Sequence, residues 1–420
     1  VIEAIRKRVV PESGVSFVDD KGRPFATFGK NETGQGAQGL TSEYEIMRGD
    51  LVNVFYRASL GLSQDDDDDD DGNGGNKNEE DDASKSNVVT SADGKVRYEF
   101  GVTVTHLSQH AESSVAVTFS DGREAQYDLV VGADGQGSRT RRMLLGHGDG
   151  DDDKAACFRS LGLYTAYYLV PRTADEDSWM KCHVMPGSRA IITRSGDARA
   201  PMQVYMAVWT GRDTKTKTKT NARADRYGVH AAMTQSRSVA AQKEAFERAF
   251  ADQRGWRVPE LVEALRTRTR DDDFYASELG QVRCPPEKLA VGRVVLLGDA
   301  GYCPSPLTGM GTTLSLTGAY VLAGELARRA GQNGGDVDVD VPGALKAYAR
   351  VVRQFVDEAQ KLAPGVPGIL YPETSWGVWI LTTIIWLVAK SRIADFLMRV
   401  LPENKGGLAI PEYPELNLDA

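Results

Sequence analysis

Cysteine and histidine are scarce, four and five among 420 residues. Cys157, Cys182, Cys284 and Cys303 stand far apart, without the short spacings of a metal site and without an obvious pairing. A disulfide scaffold or a cysteine-bound metal is therefore excluded as the organising device, and a reducing, intracellular (cytoplasmic) compartment is favoured. No apolar run reaches the roughly 20 residues that a bilayer-spanning helix needs. The start carries no secretory signal pattern. It also lacks an initiator methionine, and Val1 opens in what reads as mid-domain. No broad basic patch occurs, which argues against a nucleic-acid partner.

Charge is present but unevenly placed. The formal net charge is −9, yet the window Gln64 to Asp82 alone holds eleven acids and one Lys, so the remainder is close to neutral. That window and its Gly-Asn-Gly-Gly centre lack apolar residues and repel themselves, which predicts a solvated, disordered insert over 64–87. It lacks the ligand spacing of a calcium loop. Apolar content is ordinary for a soluble globular protein, and the length allows two or three domains, or two joined intimately.

Two periodicities organise the rest. Val1 to Arg8 reads as the end of a helix, and Gly14 to Phe28 as a β-hairpin turning at Lys21-Gly22-Arg23. Tyr44-Glu-Ile-Met is strand-like and runs into a helix from Arg48 to about Ala58, with Asp50 near its start. Val96 to Asp128 alternates as strands do, turning at Asp121-Gly122. Between 154 and 280 lie strand-like runs at Leu161–Val170, Lys181–Met185, Ala190–Thr193 and Met202–Thr210, which suggest an antiparallel sheet. Helices are expected over Val239–Phe250, Pro259–Arg266 and Val341–Leu362, with a polar loop from Arg212 to Tyr227. Trp376 to Ala389 is nearly all apolar but fourteen residues long. A buried or interfacial helix is expected there, with membrane-surface contact through its tryptophans the minority alternative.

The most informative stretch is Val294 to Arg329. An apolar run, Val294 to Leu297, reads as a strand buried on both faces. Gly298-Asp299 places a carboxylate at its carboxyl end, where open α/β sheets bind ligands. Then come Pro306-x-x-Gly309-Met310-Gly311 and a helix from about Gly309, whose free N–H groups and dipole favour electron-rich atoms. A second such unit lies upstream: a buried strand from Leu129 to Val131 delivers Gly132-Ala133-Asp134-Gly135, and Ser138 is placed to cap a helix opening with Arg139 and Arg141.

Taken together, these two units resemble the flavin motifs of the FAD-dependent aromatic-ring monooxygenases, the p-hydroxybenzoate hydroxylase-like family, near its tetracycline-inactivating branch. The resemblance implies an α/β fold. A Rossmann-like FAD-binding domain would comprise 1–63, 88–153 and 281–364, a mostly antiparallel substrate-binding sheet 154–280, and a helical C-terminal segment 365–420. It also implies roles for particular residues. Asp299 would bond the FAD ribityl chain, the Pro306–Gly311 segment would face the flavin pyrimidine end, Arg48 would reach back to the FAD, and Asp134-Gly135 would lie near its pyrophosphate and ribose. Tyr167, Tyr168, Met206 and Trp209 are candidates for a substrate pocket, although aromatics on strands usually serve as core. No catalytic base is identified; Tyr302 and Cys303 adjoin the motif without an assigned role.

The implied chemistry is hydroxylation of a small aromatic or polyketide-like compound, with NADPH or NADH and O₂, through a flavin hydroperoxide. The cofactor carries the hard step, which accounts for the missing triad. The alternatives are another flavin oxidoreductase on the same scaffold or a non-catalytic remnant. The remnant reading draws on one departure from the family pattern: no strand–Gly-x-Gly-x-x-Gly–helix unit is found. Gly34, Gly36 and Gly39 have the spacing but neither a preceding strand nor a βαβ context. About 40 residues of the family's beginning are therefore expected to be absent.

Overall fold

The computed structural model describes residues 1–30, 45–64, 88–110, 114–146, 157–173, 176–196, 200–211, 225–236, 238–332, 339–391 and 409–417. The acidic insert apart from Gln64, the Gly34–Gly39 spacing, Tyr44 and most of the polar loop from Arg212 to Tyr227 lie outside them.

In chain order, α1 (Ile2–Lys7) precedes a hairpin of β1 (Gly14–Val18) and β2 (Pro24–Gly29), followed by α2 (Arg48–Leu60). Two small antiparallel sheets come next: β3 (Val88–Thr90) with β4 (Arg97–Glu99), and β5 (Val104–His110), β6 (Ser114–Phe119) and β7 (Glu124–Tyr127). After β8 (Val130–Gly132) and α3 (Arg139–Leu144), the long strands β9 (Phe158–Val170), β10 (Trp179–Met185), β11 (Arg189–Arg194) and β12 (Met202–Trp209) follow. Helices α4 (Val229–Ala231), α5 (Val239–Phe250) and α6 (Val258–Thr267) lead into β13 (Phe274–Val282). The remaining elements are α7 (Pro286–Leu289), β14 (Ala290–Val291), β15 (Val294–Leu296), α8 (Asp299–Tyr302), α9 (Gly311–Gln332), α10 (Val341–Ala359) and α11 (Ser375–Lys390).

The fold is mixed α/β, as the two motifs imply. The large sheet has seven strands in the order β13-β9-β12-β11-β10-β1-β2. All its pairings are antiparallel except β1 with β10. The hairpin β1–β2, expected within the cofactor-binding part, instead extends this sheet. β1 pairs in parallel with β10, Val15 in register with Met180, and so covers the edge that β10 would otherwise expose.

Side chains alternate across this sheet. One face carries Tyr164, Ala166 and Tyr168 on β9 and Met202, Val204, Met206 and Val208 on β12, all buried. It is covered by α5, through Ala245, Phe246, Ala249 and Phe250, and by α6, through Val258, Leu261, Ala264 and Leu265. Each fully buried Phe or Leu there contributes about 1.5–3 kcal/mol relative to exposure. Ser238 caps α5 by accepting from the Ala241 N–H at 3.2 Å.

The second sheet is small, in the order β14-β15-β8, with β15 and β8 parallel. β15 is buried throughout, as expected for its run of Val and Leu. β8 is not: Val131 is 39% exposed, because among the described residues β8 forms the edge of this sheet. Helices α9 and α10 enclose a core with β15, through Leu314, Val321, Leu345, Tyr348, Val352 and their neighbours.

Of the two placements expected for α11, buried or interfacial, the buried one is corrected. Only Leu381 is buried, while Trp376 is 68% and Trp379 59% exposed. The helix is apolar nearly all round, and its main contacts among the described residues are with β2 and β10. No helix among the described residues is long and apolar enough to cross a membrane.

Candidate functional site

The parallel pair β8–β15 brings the two sequence motifs side by side. Val130, Val131 and Gly132 lie in register with Val294, Val295 and Leu296, and the Leu297 N–H donates to the Gly132 carbonyl at 2.9 Å. The segments Asp134-Gly135 and Gly298-Asp299 therefore leave the same end of the same sheet.

A buried arginine fastens them. Arg141, 2% exposed, donates to the Ala300 carbonyl at 2.8 Å and to the Gln136 carbonyl at 2.9 Å. Ser138 caps α3 as expected, its Oγ accepting from the Arg141 N–H at 2.9 Å. Asp134 has a local task. Its carboxylate accepts from Ser138 Oγ at 2.5 Å, from the Thr140 N–H at 3.0 Å and from Thr140 Oγ1 at 3.1 Å. Burial alone would raise its pKa, and these donors hold it below the usual carboxylate value. What faces open space is the neighbouring backbone: Gly135 has φ +78°, and a Cβ there would meet nothing within 4 Å.

The second motif differs in detail from a plain loop. Asp299 opens the single-turn α8, half-buried, and the Cys303 thiol at the end of that turn donates to Gln136 Oε1 at 3.7 Å and to the Gly280 carbonyl at 3.9 Å. Burial first, and the Asp299 charge second, push that thiol up to about 12, so Cys303 stays protonated and unreactive. The segment Pro306–Thr308 forms one 3-10 turn ending at Gly309 in the left-handed region, φ +66°. Gly309 and Gly311 both border open space, while Met310 is exposed. The first turn of α9 thus begins beneath an uncovered cradle of backbone, with the free N–H groups every helix start carries. Residues that sequence reasoning missed hold this loop in place. Gln281 donates to the Pro304 carbonyl at 3.1 Å, and Gln360, at the end of α10, donates to the carbonyls of Val282, Tyr302 and Cys303. Nothing in their local sequence signals the role, because the partners are brought together only by folding.

The motif loop meets the large sheet on the face opposite α5 and α6. Leu307 and Trp209 both pack against the buried cluster of Leu163, Ala190, Ala207, Leu279 and Tyr371. On that same face Tyr167 lies between Tyr205 and Tyr275, with ring centroids 5.0 and 5.8 Å apart. Of the four pocket candidates, Trp209 and Tyr167 are on the face that meets the motif loop. Tyr168 and Met206 are on the other, buried in the core under α5 and α6, and the Tyr168 hydroxyl donates to the Leu261 carbonyl at 2.8 Å.

Arg48 starts α2 and is exposed. With Met47 and Gly49 it forms one wall of a cavity of about 290 Å³, whose other walls include Glu12, Glu45, Arg194, Gln203 and Tyr205. Among the described residues no group of His, Cys, Asp and Glu is arranged to hold a metal ion.

Comparison with known proteins gives this geometry its context. A family model described as an FAD binding domain matches residues 89–340. The chain is 34% identical over 422 residues to the FAD-dependent monooxygenase asL6 of Sarocladium schorii, covering 100% of this chain and 86% of that protein. It is 32% identical over 410 residues to the flavin-dependent monooxygenase eupH of a Phoma species, covering 96% and 82% respectively. Among solved structures, tetracycline destructase Tet(51) superposes with TM-score 0.61 at 22% identity, over 98% of this chain and 83% of that one. A single-substitution variant of HpxO from Klebsiella pneumoniae, complexed with FAD, superposes with TM-score 0.52 at 18% identity, over 95% and 84%. By the matching domain and these relatives, the chain belongs to the FAD-dependent monooxygenases of the p-hydroxybenzoate hydroxylase-like family.

Proposed function

We propose that this monooxygenase hydroxylates a small organic ring compound, aromatic or polyketide-like, lying between the Pro306–Gly311 loop and the tyrosine-bearing face of the large sheet. The observation that carries the reading is the packing of Leu307, within the flavin motif, against Leu163, Ala190, Ala207 and Leu279 on that face, the same cluster on which Trp209 packs. A ligand held by the motif and a ligand held by the sheet would then be adjacent.

The residues present fit FAD. The open backbone at Gly135, Gly309 and Gly311 admits a flat, electron-rich group to van der Waals distance, which a side chain at any of the three would obstruct. Gly298, Asp299 and the segment Pro306, Gly309, Met310 and Gly311 are proposed to hold the flavin end, with Gly135 and Arg48 toward the phosphates and ribose. Asp134 fixes the turn that presents Gly135. Bound there, FAD reduced by NADPH or NADH supplies the oxygen-transfer chemistry with O₂. The protein's share is orientation and dryness. The α9 N-terminus stabilises negative charge near Gly311, and Leu307, Trp209 and Tyr167 exclude water from the reacting face. The apportioning of the chain stays as proposed for 88–153 and 281–364, with the hairpin Gly14–Gly29 added to the substrate sheet.

The test is the visible spectrum of the purified protein after incubation with FAD and desalting. Retained flavin bands, and NAD(P)H and O₂ consumption stimulated by ring compounds, are expected. Gly309→Val should lose flavin at least about tenfold more readily. A side chain there meets no protein atom but forces the left-handed backbone, a cost of about 1–2 kcal/mol. A colourless wild-type protein, or a Gly309→Val protein that retains FAD equally well, would overturn the assignment.

A further inference from the structure

The cavity beside Arg48 contains an ion cluster that the motifs do not account for. Arg194, the last residue of β11, donates through Nε to Glu12 Oε2 at 2.9 Å and through Nη2 to Glu12 Oε1 at 3.1 Å. Its Nη2 also reaches Glu45 Oε1 at 2.6 Å. Glu12 is 3% exposed, whereas the Glu45 side chain keeps 27% of its surface. The three groups come from separate places in the chain. Val9 pairs with Ile46, and the Val10 N–H donates to the Glu45 carbonyl at 2.7 Å, so both carboxylates arrive at the end of β11 together. Tyr205 and Gln203 on β12 complete the wall; the Tyr205 hydroxyl donates to the Gln203 amide oxygen, and the Gln203 amide nitrogen is held by the Met47 sulfur.

An arginine on a substrate sheet would ordinarily be a carboxylate anchor. Here its fork is spent on the protein's own carboxylates. Two carboxylates to one guanidinium leave an excess negative charge, and among the described residues the only other cation on the cavity wall is Arg48. We propose that Glu12 and Glu45 are specificity-determining residues: they select a neutral ring compound that donates a hydroxyl to the cluster, and they reject one bearing a carboxylate. The inference rests on the assignment of Arg48 to FAD, which removes that cation from the substrate's reach. Two physical terms act together. A hydroxyl donated to a carboxylate gives a charge-assisted hydrogen bond, stronger than a neutral one. A second carboxylate brought to the same wall meets like charge, the repulsive half of discrimination. A neutral donor therefore suits this wall better than a further anion.

The test uses two probes that differ only in methyl against carboxylate, orcinol and 3,5-dihydroxybenzoate, titrated calorimetrically into the FAD-loaded full chain at pH 7. Orcinol is expected to bind at least about tenfold tighter (~1.4 kcal/mol). Glu45→Gln, at the exposed end of the cluster, should narrow that ratio by about tenfold, with Glu12→Gln narrowing it further and a melting curve confirming that each variant is folded. Equal or tighter binding of the benzoate by the wild type, binding of neither probe, or a ratio unchanged in a folded Glu45→Gln protein would each overturn the proposal. Failure of the cofactor reading is read separately, as absence of flavin bands before any titration.

Discussion

The two faces of the seven-stranded sheet are made from the same strands and differ in almost everything else. Along β12, Met202, Val204, Met206 and Val208 enter a dry core beneath α5 and α6. Their alternates Gln203, Tyr205, Ala207 and Trp209 face the motif loop and the Arg194 cluster. Tyr168 and Tyr167 are adjacent in sequence. Tyr168 spends its hydroxyl on the Leu261 carbonyl inside the core, and Tyr167 sits in the row of tyrosines on the other side. Burial drives the pKa of both upward, Tyr167 to about 12, so both are neutral at physiological pH. The lesson is that a tyrosine's identity says little here, and the parity of its position says nearly everything: one residue's shift along a strand exchanges core for site.

The largest expected effect falls on the dry face. Phe246→Ala should cost about 3–5 kcal/mol of stability by opening a cavity under the sheet. Activity per folded molecule should be kept, because no atom of the site moves. Urea denaturation together with activity normalised to folded protein checks this, and a selective loss of turnover would mean that the two faces are coupled.

A smaller and sharper contrast comes from two conservative changes. Tyr168→Phe should cost about 1–3 kcal/mol, since the Leu261 carbonyl loses its buried donor, and leave ligand affinity alone. Tyr205→Phe should do the reverse, changing orcinol affinity by about threefold or more with under about 1 kcal/mol lost. Denaturation midpoints and calorimetric titration of both variants decide it. If Tyr168→Phe altered binding, the separation of faces would fail.

The smallest effect concerns Glu12. Its folded-state pKa is raised, chiefly by burial, so the folded protein holds a proton more tightly than the unfolded chain. The sign follows: stability from this group is present below the unfolded value of about 4.3 and is lost as pH rises through the raised folded value. Melting temperatures between pH 4 and 7 should therefore fall more steeply in the wild type than in Glu12→Gln. A wild type that gains stability relative to the variant across that window would show that the pull of Arg194 outweighs burial.

The elements themselves were legible before the structure. The helix at Val239–Phe250 and the strands β9 to β12 follow from periods of 3.6 and 2 and from turn residues at their ends. Gly298-Asp299 and Gly132-Ala-Asp-Gly were legible as a pair of sheet-end turns. Their contact through β8 and β15, and the bond from Arg141 to Ala300, were not. Arg141 stands in Ser-Arg-Thr-Arg-Arg among other arginines, and no local property separates the buried one. Expecting Val131 to be buried failed for a related reason: a Val-rich run signals a strand but not how many neighbours it has.

By itself, then, the sequence determined the kind of element at each stretch, the order of the two motifs and the family they resemble. Those depend on residues close together along the chain. Only the tertiary structure decided which face of the sheet each alternating residue joined, that β1 and β2 extend the seven-stranded sheet, and that Glu12, Glu45 and Arg194 share one cavity wall. Strand pairing and helix cover are relations between distant segments. Both faces of β12 are apolar enough to be buried, so only the placement of α5 and α6 on one side left the other free for a site.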